Sequence, residues 1–327
     1  MDVNSLLASA IKGKIDDTTI YKNILHTFGS ELKSTLKILA SILIIVLIHS
    51  IFKTISENLG NNTISEITYY VQYILIVTIV MSNFTEIIDL TKTTIQNLVN
   101  FINMLTPILI TLMITTGNIV SANVVQPILL ITLSLIGNII LNFILPMVLI
   151  STILGIVSQL SSKIQIEKLA KFLNSGVIWA LGIGLTVFVC LLSLEGTLSS
   201  GVDGLTAKTT KAAVSNFIPV VGKVLGDSID TVIGCASILK NAIGVVGIIV
   251  IISICIIPII KFSVLTIMYS FTAALCEPIA DKKIVKLLEQ MCGTFKVLLA
   301  IIFSISVMLI IGITLVIKIS NSGLMYR

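Results

Sequence analysis

Arginine is nearly absent from this chain: of 21 basic residues, only Arg327 is not lysine. Proteins that read nucleic acid lean on arginine for forked contacts to bases and phosphates, so no nucleic-acid partner is expected. Histidine is equally scarce. His26 and His49 stand far apart, and no zinc site built on histidine can be read. The five cysteines, Cys190, Cys235, Cys255, Cys276 and Cys292, form no CxxC pair and lie mostly inside apolar runs. Buried thiols in a membrane are the reading, not a disulfide or a metal centre. The chain also lacks the GxxxxGK[ST] phosphate loop, HExxH and GxSxG. No enzyme activity, no cofactor and no metal are therefore expected.

What is present is apolar. Hydrophobic residues make up 56% of the 327 positions, charged ones 11%, and mean hydropathy is +1.10. These values describe an all-α polytopic integral membrane protein with no separate polar domain. Its first partner is the lipid bilayer, with lysines setting orientation and meeting anionic headgroups.

Residues 1–35 show no n-region, h-region and cleavage site in sequence, so no signal peptide is read there. Val3, Leu6, Leu7, Ala10 and Ile11, then Tyr21, Ile24, Leu25, Phe28 and Leu32, keep helical spacing among lysines. That pattern suits amphipathic helices at the membrane surface or an interface with a partner helix. Residues 36–194 read as a first membrane half of about five spans. Leu36–Phe52 comes first, then Ile67–Phe84, with Glu86, Asp89 and Lys92 marking a loop. Leu98–Thr115 follows, led by Asn97, Asn100 and Asn103 and containing Pro107. Val124–Leu160 reads as one tilted span kinked by Pro127 and Pro146. Its i, i+4 stripe of Ser134, Asn138 and Asn142 suits interhelical hydrogen bonds, with a substrate site as the alternative. Gly176–Leu194 carries the lone tryptophan, Trp179, as an interfacial anchor.

Residues 243–327 form the second half. Ile243–Ile260 is interrupted late by Pro258. Phe262–Cys276 falls short of the ~20 residues a crossing needs, so it reads as a re-entrant or interfacial helix ended by Glu277-Pro278. Val297–Ile317 closes a set of about seven spans. Pro107, Pro127, Pro146, Pro219, Pro258 and Pro278 are the expected helix-breaking positions. With the N-terminus inside, inner segments hold about twice as many basic residues as outer ones, which predicts N-terminus in and C-terminus out.

Between the halves, residues 195–242 read as a Gly-rich amphipathic or re-entrant segment on which the chain turns. On a helix, Asp227, Asp230, Gly234, Ser237, Asn241 and Gly244 share one face. Small residues there would let another helix approach closely, whereas acids near a bilayer usually face a polar cavity or a partner. Asp227 and Asp230 could share a proton or hold a cation, but no histidine or third acid accompanies them.

The run Asp227–Gly247, DSIDTVIGCASILKNAIGVVG, resembles the stage III sporulation protein AE family of endospore-forming bacteria. The flanking PVVGKVLG and the downstream IPIIKFSVLTIMYSFTAALCEPIADKKI are similar too. The similarity is strongest from Gly201 to Ile317 and looser upstream to Leu36, and it carries no catalytic signature. Family members generally open with a signal-like apolar segment that is not read here. The resemblance implies a non-catalytic membrane subunit of a mother cell-to-forespore transenvelope channel, needed for forespore development. Its place would be the mother-cell membrane surrounding the forespore. Its implied partners are the other stage III sporulation A proteins, including a separate ATPase, and indirectly stage II sporulation protein Q. An autonomous secondary transporter or permease is the competing reading. Pro127 with Pro146, and Pro258 with Pro278, bracket apolar segments of similar length in the two halves.

Overall fold

The structure, a computed structural model, describes the backbone of residues 17–58, 62–160, 166–217 and 221–325. Side chains are described over a narrower set that leaves out 17–24, 53, 56–58, 62–66, 195–217, 221–230 and 320–325. Most of the N-terminal amphipathic segment, and Pro219, lie outside the described residues.

Every described element is helical. In order these are α1 (Asp17–Asn58), α2 (Asn62–Thr115), α3 (Ile119–Ile139), a π segment (Ile140–Ile144), α4 (Leu145–Leu160), α5 (Glu167–Phe217), α6 (Val221–Cys276) and α7 (Lys282–Met325). Lipid leaves the backbone no water to bond to, so an apolar chain satisfies itself by staying helical for as long as it can. Counting α3, the π segment and α4 as one run, six helical stretches are long and apolar enough to cross a membrane. The sequence suggested about seven.

The difference arises in α2, which joins the expected second and third spans without a break. Glu86, Asp89 and Lys92 occupy no loop. Phe84, Ile87, Ile88, Thr91, Ile95 and Leu98 repeat at helical spacing and are all buried, so the charged residues ride the outer face of a core-facing helix. Likewise Phe262–Cys276 is the continuous end of α6 and not a separate re-entrant helix. Its inner residues Phe262, Leu265, Tyr269 and Cys276 are buried.

Most of the prolines do not break helices either. Pro107 and Pro258 lie inside α2 and α6, and Pro127 lies inside α3. A proline forfeits one backbone bond, and in a long buried helix neighbouring turns and hydroxyls offset that loss. Pro146 is the exception that leaves a mark. It follows the π segment, where the Leu145 N–H reaches back to the Ile140 carbonyl, a local underwinding that accommodates the ring. Pro278 sits in the turn between α6 and α7.

The connections are short, so consecutive runs are antiparallel neighbours. Between α2 and α3, Gly117 takes φ 83°, the left-handed geometry that lets the Asn118 N–H close onto the Met113 carbonyl at 3.0 Å. One end of the bundle gathers the α1–α2, α4–α5 and α6–α7 connections, which Tyr69 and His49 tie together through Gln159 and Asp281. The opposite end gathers Asp17, the α2–α3 and α5–α6 connections, and Met325. Both ends of the described chain therefore share one end of the bundle, where the sequence reading placed the termini on opposite faces. Fusing two apolar runs into α2 removes one crossing.

The centre belongs to α7. Leu287, Leu288, Met291, Phe295, Leu298, Ile301 and Ile302 are fully buried among α2, α4, α5 and α6. The ring of Tyr269 meets Phe295 edge-on at 5.0 Å between centroids. Half of the apolar window of α7 is buried, more than in any other run.

Candidate functional site

The Gly-rich stripe on α6 does not face one environment. Asp227 and Asp230 lie in the first turns of α6, and their side chains fall outside the described residues. Gly234 is exposed, with open space where a Cβ would stand. Ser237 and Asn241 are half-buried at the margin of the bundle. Gly244 is buried, and a Cβ there would collide with Ile317 of α7, with Ile313 beside it. The stripe thus runs from the outer surface at one end into a close helix contact at the other. Within it, only Gly244 has the packing role that small residues serve in membranes.

Sequence reasoning passed over the neighbour of that stripe. Lys240 is fully buried, level with Ala236 and Gly244 on the face of α6 that turns inward. Counted by charge alone, it stood among the basic residues of the outer segments. The signal was its spacing, four residues from both Ala236 and Gly244. An ionisable side chain placed inside a membrane bundle marks a functional candidate by default.

A second polar group forms at the end where α1, α2, α4 and α7 meet. His49, almost wholly buried near the end of α1, places Nε2 3.1 Å from Oδ2 of Asp281, just ahead of α7. Asp281 also starts that helix, since its carbonyl accepts the Ile284 N–H at 2.9 Å. Two tyrosines one turn apart on α2 fasten the same region to α4. The Tyr69 hydroxyl donates to the Gln159 carbonyl at 3.0 Å, and the Tyr73 hydroxyl donates to Ile156 at 2.5 Å. The ammonium of Lys283 stands 5.3 Å from the centre of the Tyr69 ring, within cation–π range. Tyr69, Ala280, Asp281, Lys282 and Lys283 line an open cleft of about 570 Å³. Nearby, Nδ1 of His49 and both amide atoms of Gln72 are buried with no hydrogen-bond partner among the described residues. Among the described residues, no group of three His, Cys, Asp or Glu could hold a metal ion.

The interior between α4 and α7 is the third polar feature. Gln290 lies across Gly155, and its amide nitrogen sits 3.4 Å from the Ser151 and Thr152 carbonyls. Thr152 and Thr294 hydroxyls pair at 3.2 Å, and the Ser151 hydroxyl donates to Ala170 of α5 at 2.7 Å. Such bonds between helices hold a bundle together where the hydrophobic effect gives little. The stripe of Ser134, Asn138 and Asn142 behaves differently. Asn138 and Asn142 face outward, and neither bonds to another described helix of this chain. Among the thiols, Cys190 and Cys235 lie on the outer surface of the bundle, while Cys255, Cys276 and Cys292 are buried inside it.

The family described as stage III sporulation protein AE matches residues 1–320. The chain belongs to that family. It is similar to stage III sporulation protein AE of Bacillus subtilis (strain 168), with 28% identity over 291 residues, which is 89% of this chain and 73% of the relative. No solved structure matches. The resemblance first visible around Asp227–Gly247 thus extends over the helical bundle as a whole. This member of the sporulation AE family is a helical protein with six membrane-capable runs, and its polar groups gather at one end, along α6 and between α4 and α7.

Proposed function

We propose that this chain is a non-catalytic membrane subunit of the stage III sporulation A complex, a channel spanning the envelope between mother cell and forespore. The observation that carries the reading is the family match over residues 1–320, which takes in every span of the bundle. In this reading the chain resides in the mother-cell membrane around the forespore. It works beside the other stage III sporulation A proteins, with a separate ATPase supplying energy and stage II sporulation protein Q engaged indirectly.

The interior supports a subunit over an autonomous transporter. Between α2, α3 and α7, a pocket lined by Ile102, Thr106, Leu129, Leu133 and Ile313 closes to about 10 Å³, at the lower limit for one water. The cleft beside Asp281 opens instead to the surface, where other subunits can reach it. Affinity purification of the tagged chain from sporulating cells tests the proposal. Recovery of the other sporulation A proteins and the ATPase is the expected result. Recovery of the chain alone, together with solute transport after reconstitution by itself, would replace it with the permease reading.

A further inference from the structure

The run Ile119–Leu160 has a mean hydropathy of 2.5 over its apolar window, yet it presents polar side chains on its outer surface. Asn138 and Asn142, one turn apart, are exposed, and Ser134 one turn earlier is half-exposed. With Ile131, Leu135 and Phe143 they line an open groove of about 560 Å³. Among the described residues, no hydrogen bond reaches either asparagine. The π segment Ile140–Ile144 includes Asn142, and Pro146 has no N–H to give the Asn142 carbonyl. Lipid tails offer no partner to such groups, so hydrocarbon against this face is strongly disfavoured.

We propose that this face packs against the same face of a second copy of the chain. Copies inserted in one membrane share one orientation, so a two-fold axis between them runs along the membrane normal. Each residue then meets its own counterpart at its own depth. Few side chains satisfy themselves in that arrangement, because a lysine or a carboxylate would meet its like. The asparagine amide carries both donors and an acceptor, so two facing asparagines can each donate to and accept from the other. The groove holds no charged residue that would favour an oppositely charged stranger. Around the polar centre, Ile131 and Phe143 are 64% and 71% exposed, leaving apolar surface for the dimer to cover. This inference rests on the outer face of α3 and the π segment alone and is independent of the channel reading.

The full chain, with the exposed Cys190 and Cys235 replaced by serine and reconstituted in liposomes, provides the test. Asn142→Cys should form a covalent homodimer on mild oxidation, whereas Phe303→Cys, exposed on α7, should not. In the same liposomes, with asparagine retained, energy transfer between labelled copies should report self-association on dilution into lipid. Asn138→Leu with Asn142→Leu should weaken that association about tenfold, the effect of losing two interhelical polar pairs. The proposal is overturned if Asn142→Cys gives no homodimer, if it couples in native membranes only to a different protein, or if the double leucine variant associates like the parent. Should the leucine variant fail to accumulate, the cysteine result decides by itself.

Discussion

His49 and Asp281 are separated by 232 positions in sequence and by 3.1 Å in space. Their contact closes α1 onto the start of α7 and so ties the first helix to the central one. The imidazole is almost fully buried while the carboxylate keeps about a quarter of its side chain exposed. Removing the carboxylate therefore costs more than the bond itself, because the buried imidazole loses its Asp281 contact without gaining water. His49→Ala and Asp281→Ala should each lower stability in detergent by about 1–3 kcal/mol. The double variant should lose clearly less than the sum. Full additivity in a double-mutant cycle of thermal unfolding would show that the two side chains do not interact.

Gly155 and Gln290 make a sharper prediction. No Cβ fits at Gly155 unless the Gln290 amide moves off the Ser151 and Thr152 carbonyls. Gly155→Val should destabilise the bundle by about 1–3 kcal/mol, the usual cost of overpacking. Gly182→Val on α5, with nothing within 4 Å of its would-be Cβ, should stay well below that. Equal melting temperatures for the two variants would refute close packing between α4 and α7.

The two glycines of the α6 stripe should separate. Gly244→Leu forces a side chain into Ile313 and Ile317, so it should reduce the stability of the isolated chain. Gly234→Leu enters open space and should leave the isolated chain as it is. Any defect it produces would then appear only when a partner packs there. Melting curves of the purified variants, set beside their co-purification with other proteins, distinguish the two positions.

Topology can be tested by labelling. A tag ahead of Met1 and a tag after Arg327 should lie on the same side of the membrane. Lys168→Cys and Lys283→Cys, at the other end of the bundle, should react with an impermeant thiol reagent from the opposite side. This comparison is made with Cys190 and Cys235 replaced, since both are exposed. Termini on opposite sides would restore the odd number of crossings.

The helical class and the apolar runs were legible because burial in lipid demands long unbroken stretches of Ile, Leu and Val. The continuity of α2 was written in the sequence too, in the spacing of Phe84, Ile87, Thr91, Ile95 and Leu98. It was obscured because Glu86, Asp89 and Lys92 stand between those positions and imitate a loop. The central place of α7 could not be read from its composition. Its first turns carry Lys282, Lys283 and Lys286, which suggest a surface helix, yet Ile284, Leu287 and Leu288 beside them are fully buried. Pairs such as His49 with Asp281 and Gln290 with Gly155 depend on how whole helices lie against each other. Local spacing holds no record of that. For the same reason Gly234 and Gly244 looked equivalent on one helix face and are not.

At 54 residues, α2 measures about 80 Å along its axis, whereas the hydrocarbon layer is about 30 Å deep. It meets α1, α3, α4, α6 and α7 along the way and stays helical throughout, across Pro107. Such an element behaves as a lever arm. Pivoted at one end, a rotation of about 5° displaces the other by roughly 7 Å for a rod of that length. An event at the cleft beside Tyr69 and Asp281 would therefore be felt near Thr115, at the opposite extremity of the bundle, by rigid tilting and without any helix unwinding.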